Sequence, residues 1–146
     1  MFHGTYFVPP GHFRGGFFGR NTCSKWSRRK VSCLGPSMLP LVPEEALLMV
    51  DKLTPKFRKL REGEVVVMQS IHKKDFLVCK RVVHSGEKEM SFLNKNVPLK
   101  KGFLWIEGDN KAQSFDSRKY GPISDYLVVG VVRGTVWPHF NLFGRQ

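Results

Sequence analysis

Residues 76–83 read Phe-Leu-Val-Cys-Lys-Arg-Val-Val and predict a β-strand that carries a lysine among apolar neighbours. Because side chains alternate between the two faces of a strand, Phe76, Val78 and Val82 are expected to share the face of Lys80. Apolar surroundings remove the hydration that stabilises an ammonium group, which lowers the pKa of the amine. We therefore expect this lysine to serve as a base.

Outside this strand, the chain consists of short apolar segments separated by turn signals, of which Gly86-Glu87-Lys88 and Gly108-Asp109-Asn110 are examples. No segment shows sustained helical periodicity, and no internal repeat occurs. The sequence predicts a mostly β domain, a partly open barrel of short antiparallel strands. The predicted strands cover residues 46–50, 65–68, 76–83, 90–93, 103–106 and 127–136.

Upstream of these strands, residues 35–40 read Gly-Pro-Ser-Met-Leu-Pro and place Ser37 on a constrained loop. A serine hydroxyl is a poor nucleophile unless a neighbouring group takes its proton. Lysine can take it only as the free amine, so its pKa must fall from about 10.4 toward about 7–8. This shift of about 3 units corresponds to about 4 kcal/mol, which burial among apolar groups can supply. The pair of Ser37 and Lys80 predicts a serine hydrolase that needs no histidine.

The composition predicts one folded domain preceded by a basic segment. Of 146 residues, 41% are hydrophobic and 12 are Phe, which is enough apolar material for one core. The net charge is +12, and no Asp or Glu precedes Glu44. We therefore predict a Gly- and Phe-rich tail or targeting peptide over residues 1–32 and a catalytic domain over residues 33–146. No run of 18 apolar residues occurs, so no membrane-spanning helix is predicted.

The cysteines and histidines do not predict a metal site. The chain has three Cys with no Cys-x-x-Cys pair, and its five His residues are scattered without metal-ligand spacing. We therefore expect no disulfide framework, no metal and no cofactor.

Three blocks together resemble the type I signal peptidases, and more closely the branch of mitochondrial inner membrane proteases. Residues 35–40 are similar to the nucleophile block of that family, and residues 79–83 are similar to its general-base block. The third block is Glu107-Gly108-Asp109-Asn110 and its continuation to Pro122. The order and approximate spacing of the blocks match those of the family, and the resemblance covers about residues 33–143.

The resemblance implies a role for each matching residue. Ser37 would attack the scissile carbonyl, Lys80 would accept its proton, and Ser114 would orient the lysine amine. The backbone N–H of Ser37 would stabilise the oxyanion. Some relatives carry a hydroxyl two residues before the nucleophile, where Gly35 stands here, so the second oxyanion donor is unassigned. Five further residues are expected to be structural supports, namely Met38, Arg81, Asp109, Asp116 and Arg118.

The family implies a serine endopeptidase that removes sorting or signal peptides from precursor proteins at the mitochondrial inner membrane, on the intermembrane-space side. The implied partners are precursors with N-terminal sorting peptides, a second homologous catalytic subunit and the inner membrane surface. The chain departs from the family at residues 21–32, which are polar and basic where the family has a membrane anchor. Two smaller departures are Leu41, where Thr is frequent, and Gly86-Glu87, where Gly-Asp is usual.

Three alternatives remain open at this point. A self-cleaving repressor-type peptidase also uses a Ser-Lys pair, but that class lacks the third block, and no helix-turn-helix pattern precedes Ser37. A basic nucleic-acid-binding β-barrel would explain the charge, but basic and acidic residues are mixed throughout the domain, and no specific nucleic acid is expected. A catalytically impaired subunit of the same protease would retain the fold without the activity.

Overall fold

The computed structural model describes residues 6–8, 28–72, 76–93 and 95–144. Over these residues the chain is mostly antiparallel β structure with short helical turns, which confirms the predicted fold class. The sheets do not close into a continuous barrel within this part of the chain. The same described residues contain no helix that is long and apolar enough to cross a membrane.

The strands are numbered in chain order. Their bounds are β1 Tyr6–Val8, β2 Arg28–Leu34, β3 Ala46–Asp51, β4 Val65–Gln69, β5 Leu77–Ser85, β6 Lys88–Phe92, β7 Lys95–Leu99, β8 Phe103–Glu107, β9 Ile123–Ser124, β10 Val128–Trp137 and β11 Asn141–Leu142. Two α-helical turns also occur, α1 over Thr54–Phe57 and α2 over Ser117–Tyr120. Three 3₁₀ turns complete the described elements, at Pro36–Met38, Lys111–Gln113 and Asp125–Leu127.

The main sheet has the order β1-β2-β3-β10-β4-β5-β8-β9 in the described part of the chain, and β11 pairs with β10. All of these pairings are antiparallel. The sheet curls so far that β1 also meets β5, where Phe7 is opposite Leu77. Strands β6 and β7 form a separate hairpin. The curl brings the end of β2 and the start of β5 to the same region of the molecule.

Apolar side chains fill both faces of the sheet because β4, β5 and β10 are rich in Val. One buried cluster packs the nucleophile loop against β3, β4 and β10, and it contains Met38, Val42, Ala46, Leu48, Val50, Val65, Val67, Cys79 and Val132. A second cluster lies between β4, β5, β8 and β10, and it contains Leu60, Val66, Met68, Val82, Leu104, Ile106, Ile123 and Val131. Two cores on opposite faces hold β5 firmly between β4 and β8.

Some local predictions differ from the structure. The sequence Asn94-Lys95-Asn96 favours a turn, but Lys95 begins β7, because backbone pairing with β6 outweighs the low strand propensity of Lys, Asn and Pro. The basic composition of residues 56–61 favours a solvated loop; Lys56 and Phe57 lie in α1, and residues 58–61 lie outside helices and strands. Strand β2 crosses the boundary predicted between residues 32 and 33, because its backbone pairs with β3 whatever its charge. For the undescribed part of residues 1–32, the tail or targeting peptide stays a prediction.

Candidate active site

The turn that carries Ser37 is fixed by its own backbone and by the core. Gly35 has a φ of 106°, which a residue without a Cβ adopts readily, and a 3₁₀ turn over Pro36–Met38 follows. The turn is closed by hydrogen bonds from the N–H of Leu39 to the Pro36 carbonyl (3.1 Å) and from the N–H of Val42 to the Met38 carbonyl (2.9 Å). Both Ser37 and Met38 are 0% exposed. The Met38 side chain, buried in the first apolar cluster, anchors the serine beside it.

Lys80 reaches this serine from β5. Its backbone is paired with Val66 of β4, so the lysine lies within the ladder, one pair from its end. The Nζ atom donates to Ser37 Oγ at 3.0 Å and to Ser114 Oγ at 3.1 Å. Lys80 is 2% exposed although its side chain is long and polar. The structure thus brings together the three residues that the sequence predicted, from three separate parts of the chain.

The segment that follows β8, residues 108–110, packs directly against the nucleophile turn. The N–H of Asn110 donates to the Ser37 carbonyl at 3.1 Å. A Cβ on Gly108 would lie 2.2 Å from Ser114 Oγ and 2.6 Å from the Ser37 carbonyl oxygen, so only glycine fits there. Neither Gly108 nor the Asn110 N–H was among the predicted site residues. The Gly-Asp-Asn sequence was read as an ordinary turn and did not indicate this close approach.

The Asp116 carboxylate accepts a hydrogen bond from the Ser114 hydroxyl. This carboxylate is completely buried and accepts from the Gly108 N–H at 2.9 Å and from Arg118 Nη2 at 2.8 Å. Burial alone would raise the pKa of Asp116, but hydrogen bonds from Arg118, from the Gly108 N–H and from the Ser114 hydroxyl outweigh it and lower the pKa. The carboxylate therefore stays ionised, and one of its partners is the hydroxyl that contacts Lys80.

Arg81, the next residue on β5, points away from the serine and pairs with Asp109. Two parallel hydrogen bonds of 2.7 Å join Arg81 Nε and Nη2 to the two carboxylate oxygens, and Arg81 Nη1 donates to the Gly63 carbonyl at 2.7 Å. The bond to Asp109 raises the pKa of the guanidinium. This bidentate pair ties the segment that contains Gly108 to the strand that carries Lys80.

The predicted faces of β5 agree only in part with the structure. Val82 is buried and Val78 is partly buried, as expected for neighbours of Lys80, but Phe76 is 38% exposed and lies before the strand begins. Ser37 in the nucleophile turn and Ser114, both distant in sequence, also contact the lysine amine. Within the described ranges, no three His, Cys, Asp or Glu side chains are placed to hold a metal ion.

A β fold that joins a buried serine to a buried lysine defines a class of peptidase. A family model described as signal peptidase, peptidase S26, matches residues 83–137 of the chain. A known relative is 36% identical over 114 residues, which are 74% of this chain and 68% of that protein. The chain therefore belongs to the signal peptidase family, and it is a serine peptidase of the signal peptidase type. The predicted class of enzyme is confirmed.

That relative is the mitochondrial inner membrane protease subunit 1 of Xenopus tropicalis. The chain is also similar to the protein of the same name from Schizosaccharomyces pombe, with 36% identity over 111 residues, 72% of this chain and 71% of the relative. The mitochondrial inner membrane protease subunit 2 of the same yeast is 34% identical over 122 residues, 76% of this chain and 65% of the relative. The resemblance to the mitochondrial branch is thus confirmed.

Proposed function

We propose that this chain is a catalytic subunit of a protease that removes sorting peptides from precursor proteins at the mitochondrial inner membrane, with Ser37 as nucleophile and Lys80 as general base. The observation that carries the proposal is the distance of 3.0 Å between Lys80 Nζ and Ser37 Oγ in a site where both residues are buried. A hydroxyl at hydrogen-bond distance from a desolvated amine is what proton transfer without histidine needs.

In the first half of the reaction, Ser37 Oγ attacks the scissile carbonyl while its proton moves to Lys80 Nζ. The resulting oxyanion is stabilised by the backbone N–H of Ser37, and a donor of this kind contributes about 3 kcal/mol to transition-state stabilisation. Collapse of the intermediate breaks the peptide bond, and the leaving amine takes the proton from Nζ. The N-terminal part of the substrate remains as an ester on Ser37.

In the second half, Lys80 takes a proton from water, and the hydroxide attacks the ester carbonyl. The proton then returns from Nζ to Ser37 Oγ as the acid product leaves. Both halves require an uncharged amine at the start, and burial favours that form because an ammonium group loses its hydration there. We therefore expect kcat/KM to fall as the pH is lowered.

Ser114 orients the base. Its hydroxyl has one hydrogen, which is directed to the Asp116 carboxylate, so its oxygen accepts from Lys80 Nζ. This arrangement leaves the lone pair of the free amine for the Ser37 proton. Asp116 and Ser114 thus fix the direction in which Lys80 accepts a proton, and neither of them needs to take the proton itself.

The proposed location and partners rest on the relatives. Similar proteins are named as subunit 1 and as subunit 2 of a mitochondrial inner membrane protease. We propose that this chain acts on the intermembrane-space side, pairs with a second subunit of similar sequence, and meets membrane-anchored precursors there. The basic residues that precede Glu44 favour contact with an anionic membrane surface.

The test is cleavage of a membrane-anchored precursor with a sorting signal in lipid-detergent micelles, with the products mapped by mass. Wild type is compared with Ser37→Ala and Lys80→Met. Matched controls are Ser91→Ala and Lys56→Met, which make the same changes at exposed positions. Circular dichroism and thermal unfolding of each variant show that the fold is kept.

Cleavage at one site that is lost in Ser37→Ala and Lys80→Met, but kept in both controls, would support the Ser-Lys mechanism. Equal cleavage by all five proteins would refute it. Folded wild type that cleaves no such precursor, alone or with its paired subunit, would contradict the proposed substrate class.

A further inference from the structure

Ser114 lies in a segment that has no regular backbone structure of its own. Residues 114–116 lie between the second 3₁₀ turn and α2, outside helices and strands. The position of the Ser114 hydroxyl relative to Lys80 Nζ therefore depends on side-chain contacts of this segment. Asp116 makes one set of these contacts, and Phe115, which stands between the two residues, makes another.

Three aromatic rings meet at Phe115. The ring of His72 packs against it edge to face, with centroids 4.7 Å apart and planes inclined by 69°. The ring of Tyr120 lies 5.4 Å from each of the other two, centroid to centroid. Aromatic rings attract each other at these separations. We call this group, which consists of His72, Phe115 and Tyr120, the His72 cluster.

His72 belongs to the connection between β4 and β5, the strand that carries the base. A hydrogen bond of 2.8 Å from the Ser70 N–H to the Phe76 carbonyl closes this connection. Ser70 Oγ also accepts from the His72 N–H at 3.3 Å. The backbone of His72 is thus held relative to the start of β5, and its ring extends from there to the segment of Ser114.

His72 differs in origin from the other groups that lie against the Phe115 ring. Tyr120 follows Phe115 in the same segment, and so does Lys119, whose Nζ lies 5.3 Å from the ring centroid. The contact with His72 instead joins this segment to the connection that leads into β5. Together with the Arg81–Asp109 pair, it ties β5 to the third block on both sides of Ser114 in the sequence.

We propose that His72 is a positioning residue for the reaction and that, through the ring of Phe115, it holds Ser114 at hydrogen-bond distance from Lys80 Nζ. The inference rests on the proposed function for the role of Ser114 and extends it to the connection between β4 and β5. Ser114 directs the lone pair of the amine to the Ser37 proton, so a displaced Ser114 slows the chemical step. The role belongs to the aromatic ring as such, because ring edges and faces make the contacts.

The first measurement is kcat and KM for cleavage of the sorting-signal precursor by His72→Ala, His72→Phe and the control His139→Ala. His139 is also exposed, and its backbone carbonyl, which accepts from Thr135 Oγ1, is kept in the variant. We expect His72→Ala to lower kcat about fivefold at unchanged KM, because the loss of one aromatic pair corresponds to about that factor. His72→Phe keeps a ring and should stay within about twofold of wild type, as should His139→Ala.

A double-mutant cycle tests whether His72 acts through Ser114. In Ser114→Ala the hydroxyl that needs positioning is absent, so His72→Ala should cause no further loss of kcat in that background. A purely structural role would give the same loss in both backgrounds. Thermal unfolding of every variant shows that the fold is kept. Phe115→Leu, which removes the ring at the other side of the contact, serves as second variant if His72→Ala does not fold.

Amide hydrogen exchange at Gly108 gives a readout that needs no catalysis. The Gly108 N–H donates to Asp116 Oδ2 at 2.9 Å, so its exchange rate reports how firmly the segment next to Ser114 is held. Measured by NMR in the Ser37→Ala background, exchange should be about fivefold faster with His72→Ala and unchanged with His72→Phe.

The inference would be overturned by an equal loss of kcat in both backgrounds, or by a His72→Phe variant as slow as His72→Ala. Its failure is separable from failure of the proposed function. Faster Gly108 exchange in His72→Ala, in a protein whose Ser37 form cleaves no precursor, would uphold the positioning of the segment and contradict the peptidase proposal. Dyad-dependent cleavage with kcat and Gly108 exchange both unchanged in His72→Ala would do the reverse.

Discussion

Replacement of Gly108 by Ala tests the close packing around the dyad most directly. The added methyl group would lie 2.2 Å from Ser114 Oγ, 2.6 Å from Ser114 Cβ and 2.6 Å from the Ser37 carbonyl oxygen. No Cβ tolerates such contacts, so either Ser114 or the backbone of Ser37 must move. Either movement would disturb the site, since Ser114 bonds to Lys80 and the Ser37 carbonyl accepts from Asn110.

The size of the effect follows from these distances. An ordinary van der Waals contact requires roughly 1 Å more room than the present 2.2 Å. A displacement of about 1 Å at a reacting group costs about 100-fold in rate. We therefore expect kcat to fall about 100-fold in Gly108→Ala, with a smaller change in KM, because the methyl group acts on the side chains proposed to be catalytic.

The assay is steady-state cleavage of the precursor, with thermal unfolding measured in parallel. Gly144→Ala is the matched control, since no heavy atom lies within 4 Å of the Cβ position there. Gly144→Ala should retain wild-type kcat. The reasoning would be refuted if folded Gly108→Ala kept kcat within about threefold of wild type, because the predicted displacement of the dyad would then not occur.

Three further predictions concern the groups around the dyad. Ser114→Ala removes one hydrogen bond to Lys80, worth about 1.4 kcal/mol, so kcat should fall about tenfold with KM unchanged in steady-state assays. For Asp116→Asn, the loss of stability in urea unfolding from pH 6 to pH 3 should shrink below about pH 4. A carboxyl with a lowered pKa stabilises the fold fully above its unfolded pKa of about 3.9, and this contribution is lost progressively as the pH falls toward the folded pKa. A constant loss down to pH 3 would contradict this. A double-mutant cycle with Arg81→Gln and Asp109→Asn should give a coupling energy of about 1 kcal/mol in thermal unfolding, and no coupling would contradict the bidentate contact.

The apolar strands were predictable from the sequence, because their β-branched residues and flanking turns are local signals. The predicted strand at residues 127–136 corresponds to β10 at Val128–Trp137, and residues 103–106 correspond to β8. Strands β1 and β2 were not predicted. Their pairing depends on partners far away in sequence, and Arg28–Lys30 gives no apolar pattern to indicate it.

The site was predictable to the extent that its residues belong to recognisable blocks. Ser37, Lys80 and Ser114 were all among the predicted residues. In the structure, Lys80 Nζ lies 3.0 Å from Ser37 Oγ and 3.1 Å from Ser114 Oγ. The role of Gly108 was not predictable, because a glycine in a turn looks the same whether or not another segment lies against it. Only the three-dimensional arrangement shows the contact with Ser37.

The adjacent pair Lys80–Arg81 has a consequence for folding. Neighbouring positions on β5 send one cation into the buried site and the other to Asp109. A slip of β5 by one residue would exchange them, since each side chain would then point to the opposite face. The guanidinium cannot lose its proton, so the slipped sheet would trap a permanent charge in an apolar interior. The dipeptide thus discriminates against misregistered folding, and only the correct alignment of strands is chemically acceptable.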